Sequence, residues 1–462
     1  MALEVDAPVS PVIRVSTLDM TGRHISRTIL KLAWPVVIER FSLSVLSGVD
    51  AALVGHYVGA NGLAAVGIGA LMFWIPLSGA LAIDVGSTAV VARDVGAGDR
   101  SRVQQGLHTA IVAALVWGLL CTMLVFTFAP QIMHVMGAKP DVAPLGVEYL
   151  RAGAFGFPML MTMYAVSGSL RGMGNTWMPM LILVAVNIVN AVVTFMLISG
   201  HVADLGVRAS GIGYASAGCT GGVLALILAA SGAAPVRMDV RHLLDVTRAS
   251  FGRLLHIGLP VGLEEAQFML AFLVYTRIIA NLGTDQLAAH SLALRSVDMA
   301  ILPGFALGTA ATALVGQYLG AGRADLAERV AVRVRTFAFC TLVVMAVLQF
   351  TFAPYIVRIF VDDPAVVDTG AKLLRVFAFA LPALGLHASL SGALRGAGDV
   401  RFVLGTFTFT AWCVRVPIAV LMVLVLGLGA PFAWLGAVAE NWTRAALILR
   451  RFSRGKWKTI RV

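Results

Sequence analysis

Charge is scarce in this sequence for its length. Asp, Glu, Lys and Arg make up 13% of its 462 residues, against 59% hydrophobic residues and a mean hydropathy of +0.87. That balance excludes a soluble globular protein and places the chain in a membrane. Cysteine is scarcer still. Cys121, Cys219, Cys340 and Cys413 each fall inside an apolar run, with no CxxC or CxxH spacing, which argues against a disulfide framework and a zinc site. No GxxxxGK[ST] loop is present: the glycine-rich GAGDR and GAGRA join predicted helices with no strand before them, so ATP is not the expected energy source. His, Asp and Cys do not cluster at either end of the apolar runs, which leaves an integral membrane enzyme as the least favoured reading. The opening MALEVDAPVSPVIRVSTLDMTGRH has no apolar core followed by small residues, and it reads as an uncleaved tail.

What is present is a series of twelve apolar runs, near 30–54, 63–90, 104–129, 144–169, 177–200, 209–231, 252–281, 287–316, 334–354, 369–393, 402–427 and 431–449. Each is long enough to cross a hydrocarbon core of about 30 Å as a helix. The turns between them (GAGDRSR, GAKPD, RGMGNT, RGAGD) are built from helix-ending residues. Lys and Arg crowd into the N-terminal segment, every second connection and the tail RRFSRGKWKTIRV, whereas the intervening connections hold only Lys139, Arg208 and Arg358. This asymmetry predicts a multi-pass protein of the inner (plasma) membrane with both termini cytoplasmic. The net charge of +11 is thus spread over loops and suits anionic lipid headgroups, not nucleic acid.

An internal repeat organises the runs. VFTFAPQIMHVMG at 125–137 returns as QFTFAPYIVRIFV at 349–361, and the offset of 224 then carries Gly96, Pro130, Pro140, Arg151, Pro158, Ser167 and Arg171 onto Gly320, Pro354, Pro364, Arg375, Pro382, Ser391 and Arg395. A constant offset over about 80 residues marks a duplication. The period contains six spans, an even number, so both copies cross in the same sense. The fold predicted is an all-α membrane protein of twelve transmembrane helices in two six-helix lobes related by a parallel internal repeat. Its expected divisions are a cytoplasmic tail at 1–26, an N-lobe at 27–235, a charged linker on the cytoplasmic surface at 236–250, a C-lobe at 251–449 and a basic tail at 450–462. Two lobes rocking about a shared cavity is a transporter plan.

The paired LRGMGNT and LRGAGDV, VARDVGAGD and VGQYLGAGR, with LGTDQLAAHSLALR at 282–295, GLPVGLEE at 258–265 and WCVRVP at 412–417, resemble the multidrug and toxic compound extrusion (MATE) transporters over about residues 27–450. The resemblance implies an antiporter that exports organic cations or other amphipathic compounds in exchange for H+ or Na+; alternating access of the lobes, a monomeric unit and no other cofactor are the accompanying expectations. The nearest alternative is a flippase for lipid-linked sugars, which would need a cationic cavity; the embedded Arg277, Arg295 and Arg415 keep it in view.

Ionisable groups inside spans cost about 2.5–3.5 kcal/mol on insertion scales, so each is a candidate for function. Asp50 lies in VLSGVDAALVG, toward the external half of the first span, where the resemblance places a coupling carboxylate; a desolvated carboxyl group can exchange a proton near neutral pH. Asn187, Asn190 and Thr194 lie in the fifth span, the last two one helical turn apart, and the resemblance implies hydrogen bonds from this pair to Asp50. Thr194 stands where relatives can carry an acid, so no second negative charge is supplied there. Asp84, in AIDVGST, has Gly308 at the repeat-related position and is expected to serve as a structural partner. In the second lobe Glu264, Glu265 and Arg415 are the candidates, with Arg415 expected to pair with one of the two acids. His290 could relay protons, though a backbone hydrogen bond is its simpler role. Arg151 and Arg375 are expected to snorkel.

Overall fold

The computed structural model describes residues 23–200, 205–232 and 238–460. The expected N-terminal tail up to residue 22 and the first residues of the expected linker lie outside them. The described chain is helical. Helices α1 (Ile25–Tyr57), α2 (Ala60–Gly96), α3 (Arg100–Val135), α4 (Ala143–Ala154), α5 (Phe157–Gly172), α6 (Trp177–Ile198) and α7 (Val207–Ser231) form the first lobe. The second comprises α8 (Arg248–Ala280), α9 (Thr284–Gly320), α10 (Ala324–Arg358), α11 (Pro364–Ala378), α12 (Leu381–Ala397), α13 (Val400–Thr410), α14 (Val416–Val420) and α15 (Ala430–Ser453). Among the described residues eight helices are long and apolar enough to cross a membrane, α13 and α14 counting as one continuous helix over Val400–Val425, or nine with α11 and α12 taken as one bent span. The remaining spans fail that test for visible reasons: α1 and α15 carry several charges, and α4 and α5 are the halves of a broken one.

That break differs from the single fourth helix expected from sequence. Pro158 and Pro382 stand in the first turn of α5 and α12, where a missing N–H and a ring that clashes with the preceding turn stop the helix before them. The bend between α11 and α12 is 50°. Elsewhere the turns follow local chemistry. Asp99, Thr247 and Asp363 cap α3, α8 and α11 through side-chain oxygens. Gly174 and Gly398, 224 residues apart, end α5 and α12 at φ of 85° and 89°, a conformation that any Cβ would penalise.

The repeat holds atom by atom. Thr88 on α2 donates to the Gly168 carbonyl at 2.9 Å, and Thr312 on α9 donates to the Gly392 carbonyl at 2.9 Å. The GSLRG and GALRG segments that receive them are GxxxG faces, whose glycines let α5 and α12 lie directly against the backbones of α2 and α9. Each lobe has its own apolar core, and the start of α1 crosses over: Ile25, Ile29, Leu32 and Ala33 are buried against α9 and α10.

The lobes meet on their repeat axis at the end that carries the termini. A Cβ on Gly96 would stand 1.9 Å from the Gln317 carbonyl oxygen, and one on Gly320 would stand 2.1 Å from that of Arg93. The two contacts are repeat images of each other. Around them gather the polar ties between lobes: Asp94 to Arg253 at 2.7 Å, Arg93 to the carbonyls of Ala397 and Ile460, Thr109 to Ser250 and Gln317 to the Gly172 carbonyl. Further along, α2 still touches α8 through Ala82, Gly258 and Gly262. Toward the other end Trp74 and Ile75 on α2, and Phe268 and Leu270 on α8, are exposed.

Candidate functional site

Asp50 is half-buried on α1, and its carboxylate is held by a neutral group. The Ser210 hydroxyl, near the start of α7, lies 3.0 and 2.9 Å from the two carboxylate oxygens. Among the described residues no Arg, Lys or His pairs with Asp50. Asn190 and Thr194 are buried on the face of α6 that packs on α7. A Cβ on Gly213, three residues beyond Ser210, would stand 1.9 Å from Thr194 Oγ1. The expected hydrogen bonds from Asn190 and Thr194 to Asp50 do not form: Thr194 Oγ1 is buried with no partner, and both amide atoms of Asn187 are likewise unpaired. The short β-branched side chain of Thr194 is committed to the α6–α7 contact, and Ser210 occupies the place beside the carboxylate. These four polar groups and Asp50 therefore share the junction of α1, α6 and α7, with Ser210 as the direct contact.

A second layer of charge lies deeper. Arg171, at the end of α5, pairs with Glu39 on α1 and Asp84 on α2, all three side chains being 10% exposed or less. Asp84 is the structural partner expected. In the other lobe Arg395 pairs with Glu264 at 2.7 Å. Glu39 and Glu264 each stand four residues after a proline, in WPVVIE and LPVGLE, and Arg171 and Arg395 are repeat mates. The two lobes thus carry the same Glu–Arg pair, and Asp84, opposite Gly308, adds one negative charge to the first. Glu265 follows Glu264 on α8, half-buried and without an ion-pair partner among the described residues.

The expected pairing of Arg415 with Glu264 or Glu265 is corrected by the structure. Arg415 lies over the Tyr275 ring, its Cζ 4.5 Å from the centroid, and meets Glu440 of α15 at 3.5 Å. Tyr275 is eleven residues beyond Glu264, about 16 Å further along α8 at 1.5 Å per residue, so the two groups lie at different depths. Arg444 bonds the same Glu440 and the Thr410 hydroxyl. His290 finds a side-chain partner in place of a carbonyl: the Trp434 indole N–H donates to its Nδ1 at 3.0 Å.

Ser210, Glu39, Glu440, Arg444 and Asp298, an exposed carboxylate within α9, escaped the sequence reading, and Arg171 and Arg395 entered it only as markers of the repeat. The P-x-x-x-E spacing shared by α1 and α8 was the available signal for the Glu–Arg pairs. Ser210 sits in VRASGIGYAS, where a hydroxyl among small residues gives none.

The family model described as MatE matches residues 35–196 and again 260–421, two segments that begin 225 residues apart. Among curated proteins, a probable multidrug resistance protein NorM of Thermotoga maritima is 26% identical over 444 residues, 94% of each chain. The multidrug resistance protein PmpM of Pseudomonas aeruginosa is 27% identical over 447 residues, 94% of this chain and 92% of its own. Among solved structures, a multidrug resistance MATE family transporter of the MOP superfamily, in an outward-facing conformation, superposes with a TM-score of 0.89 at 21% identity, covering 98% of this chain and 99% of that one. Matched by the MatE model in both halves and over most of its length, the chain belongs to the MatE family of multidrug efflux transporters and is a transporter, not an enzyme.

Proposed function

We propose that this protein is an antiporter that exports amphipathic organic cations in exchange for protons, with Asp50 as the group that binds the two in turn. One observation carries the reading: Glu39, Asp84, Glu264 and Glu440 are each neutralised by an arginine, whereas Asp50 has no ion-pair partner among the described residues and takes a hydrogen bond from the Ser210 hydroxyl. A carboxylate without a fixed counter-ion is free to take a mobile one. Protonation cancels its attraction for an organic cation, so proton entry and cation release are coupled through differential affinity. Thr194, in place of a second acid, leaves too little negative charge for a sodium cage and favours protons.

The lobes, taken as 27–235 and 251–449, rock about the axis marked by Gly96 and Gly320. Their polar ties gather at the end rich in Lys and Arg, which the positive-inside rule assigns to the cytoplasm of an inner (plasma) membrane protein. The state described is therefore closed to the cytoplasm. Asn187, Asn190 and Thr194 shape the Asp50 site, Glu265 is the second-lobe acid left for a substrate cation, and the unit is a monomer among membrane lipids. Arg171 and Arg395 already hold carboxylates, which takes these two out of any cationic cavity for lipid-linked pyrophosphates.

The experiment is efflux of a fluorescent organic cation from proteoliposomes under separately imposed proton and sodium gradients. A proton gradient alone should drive accumulation against the concentration gradient. Flux driven by sodium alone would overturn the choice of ion, and no flux under either would overturn antiport.

A further inference from the structure

The second lobe gathers, between α8, α9 and α15, groups of opposite character to Asp50. Pro35 and Glu39 correspond to Pro260 and Glu264, and eleven residues beyond each glutamate lie Asp50 on α1 and Tyr275 on α8, with Arg415 over the Tyr275 ring. Where α1 carries a carboxylate, α8 carries a phenol with a guanidinium over it. Tyr275 is 1% exposed, with Arg415 over its ring and the His290 ring 5.8 Å away, centroid to centroid.

Three polar atoms of these groups have no hydrogen-bond partner among the described residues. An indole N–H can only donate, so its bond to His290 Nδ1 requires a lone pair there and puts the proton of the neutral imidazole on Nε2. His290 Nε2, Arg415 Nε and the Tyr275 hydroxyl are all buried without a hydrogen-bond partner among the described residues. Unmet donors in an interior are costly, and three gathered about one ring call for a common acceptor. The charges agree with this. Arg415 and Arg444 share the single carboxylate of Glu440, and the other titratable side chain of this region, His387, is occupied by Asn441 at 2.8 Å. The buried cluster therefore carries one positive charge in excess. The backbone is also irregular here: Arg415 closes a π-helical turn at Ala411–Arg415, and another follows at Leu421–Val425. Such insertions interrupt regular bonding and concentrate at functional sites.

We propose that Arg415, Tyr275 and His290 form a subsite in the second lobe for one anionic acceptor, either the carboxylate of an amphipathic solute or a chloride ion. It stands independently of Asp50 and extends the reach of the transporter from cations to solutes that also carry an acid.

The test uses the full-length protein in detergent, titrated calorimetrically with naphthoate and with naphthamide, its uncharged counterpart. Both titrations are run in sodium sulfate and in sodium chloride, and thermal unfolding is followed in both salts. Naphthoate should bind at least about tenfold tighter than naphthamide, the discrimination one charge-assisted hydrogen bond supplies. Tyr275→Phe, which keeps the ring beneath Arg415, should weaken naphthoate several-fold, and Arg415→Gln should abolish the preference. If chloride is the occupant, chloride should raise the unfolding midpoint and compete with naphthoate, and both effects should vanish in Arg415→Gln. Equal binding of acid and amide together with no effect of chloride would overturn the proposal. So would a preference that persists undiminished in a well-folded Tyr275→Phe.

Discussion

Replacing Arg171 with Met is the sharpest test of the charge layer between α1, α2 and α5. Arg171 neutralises two carboxylates at once, and all three side chains are nearly closed to water. An exposed ion pair is worth at most about 1 kcal/mol, whereas removing one member of a buried pair costs about 3–5 kcal/mol because the other charge is stranded. Arg171→Met strands Glu39 and Asp84 together, so its cost should reach at least that range. Asp84→Asn leaves the Glu39–Arg171 pair intact and removes one charge-assisted bond, for a loss of about 1.5–3 kcal/mol. The triple variant Glu39→Gln, Asp84→Asn, Arg171→Met buries no charge and should recover much of the loss, as buried ion clusters commonly do when replaced whole. The assay is the thermal unfolding midpoint of the purified protein in one detergent, read as an order: wild type, then Asp84→Asn and the triple variant, then Arg171→Met well below. The reasoning is refuted if Arg171→Met unfolds no earlier than Asp84→Asn, or if the triple variant is no better than Arg171→Met.

Other regions give further expectations. Ser210→Ala removes the single shared hydrogen bond to Asp50, a loss of about 1 kcal/mol that should slow proton-driven efflux roughly fivefold while Ser210→Thr retains it; an unchanged rate in Ser210→Ala would remove Ser210 from the mechanism. Gly96→Val places a side chain against the Gln317 carbonyl and should hold the lobes apart at the end bearing the termini, widening the distance between spin labels at Arg102 and Arg329 measured by electron paramagnetic resonance. His242, on the surface between α7 and α8, is held above the ordinary histidine pKa by the Asp245 carboxylate at 2.7 Å and by Asp239. A raised folded value means that the pair's contribution is full below the ordinary pKa and lost as pH rises through the raised one; Asp245→Asn should therefore lower the His242 midpoint in a histidine-labelled NMR titration, and an unmoved midpoint would mean that the pair does not form in solution.

Much of the architecture was legible because it rests on length and spacing. The twelve runs follow from the thickness of a bilayer, and the parallel repeat from a constant offset that the paired Thr88 and Thr312 bonds reproduce. Asp50 drew notice because a charge among small apolar residues is costly. Partners were harder to read. A sequence says that Glu264 and Arg415 are both in spans of one lobe, but their depths depend on where each helix meets its neighbours, and eleven residues of α8 separate Glu264 from Tyr275, the residue beneath Arg415. Ser210 gave no signal because a hydroxyl in a Gly- and Ala-rich run is ordinary, and its role arises only where α7 packs beside α1. Thr194 was expected to reach Asp50 from the family resemblance, with helical spacing placing it on one face with Asn190, but spacing fixes the face of α6 and not the helix that covers it. The break between α4 and α5 was present in the sequence as Pro158 within an apolar run, and the hydropathy of the whole stretch masked it.

The most direct measurement of the central claim is proton movement on addition of an organic cation to proteoliposomes containing Asp50→Asn. Asn is nearly isosteric and is held in the state that protonation would produce, so the variant should insert in normal amounts. It should neither export the cation against a gradient nor move protons when the cation is added. Substrate-driven proton movement at the wild-type rate would contradict the account and leave Asp50 a structural residue.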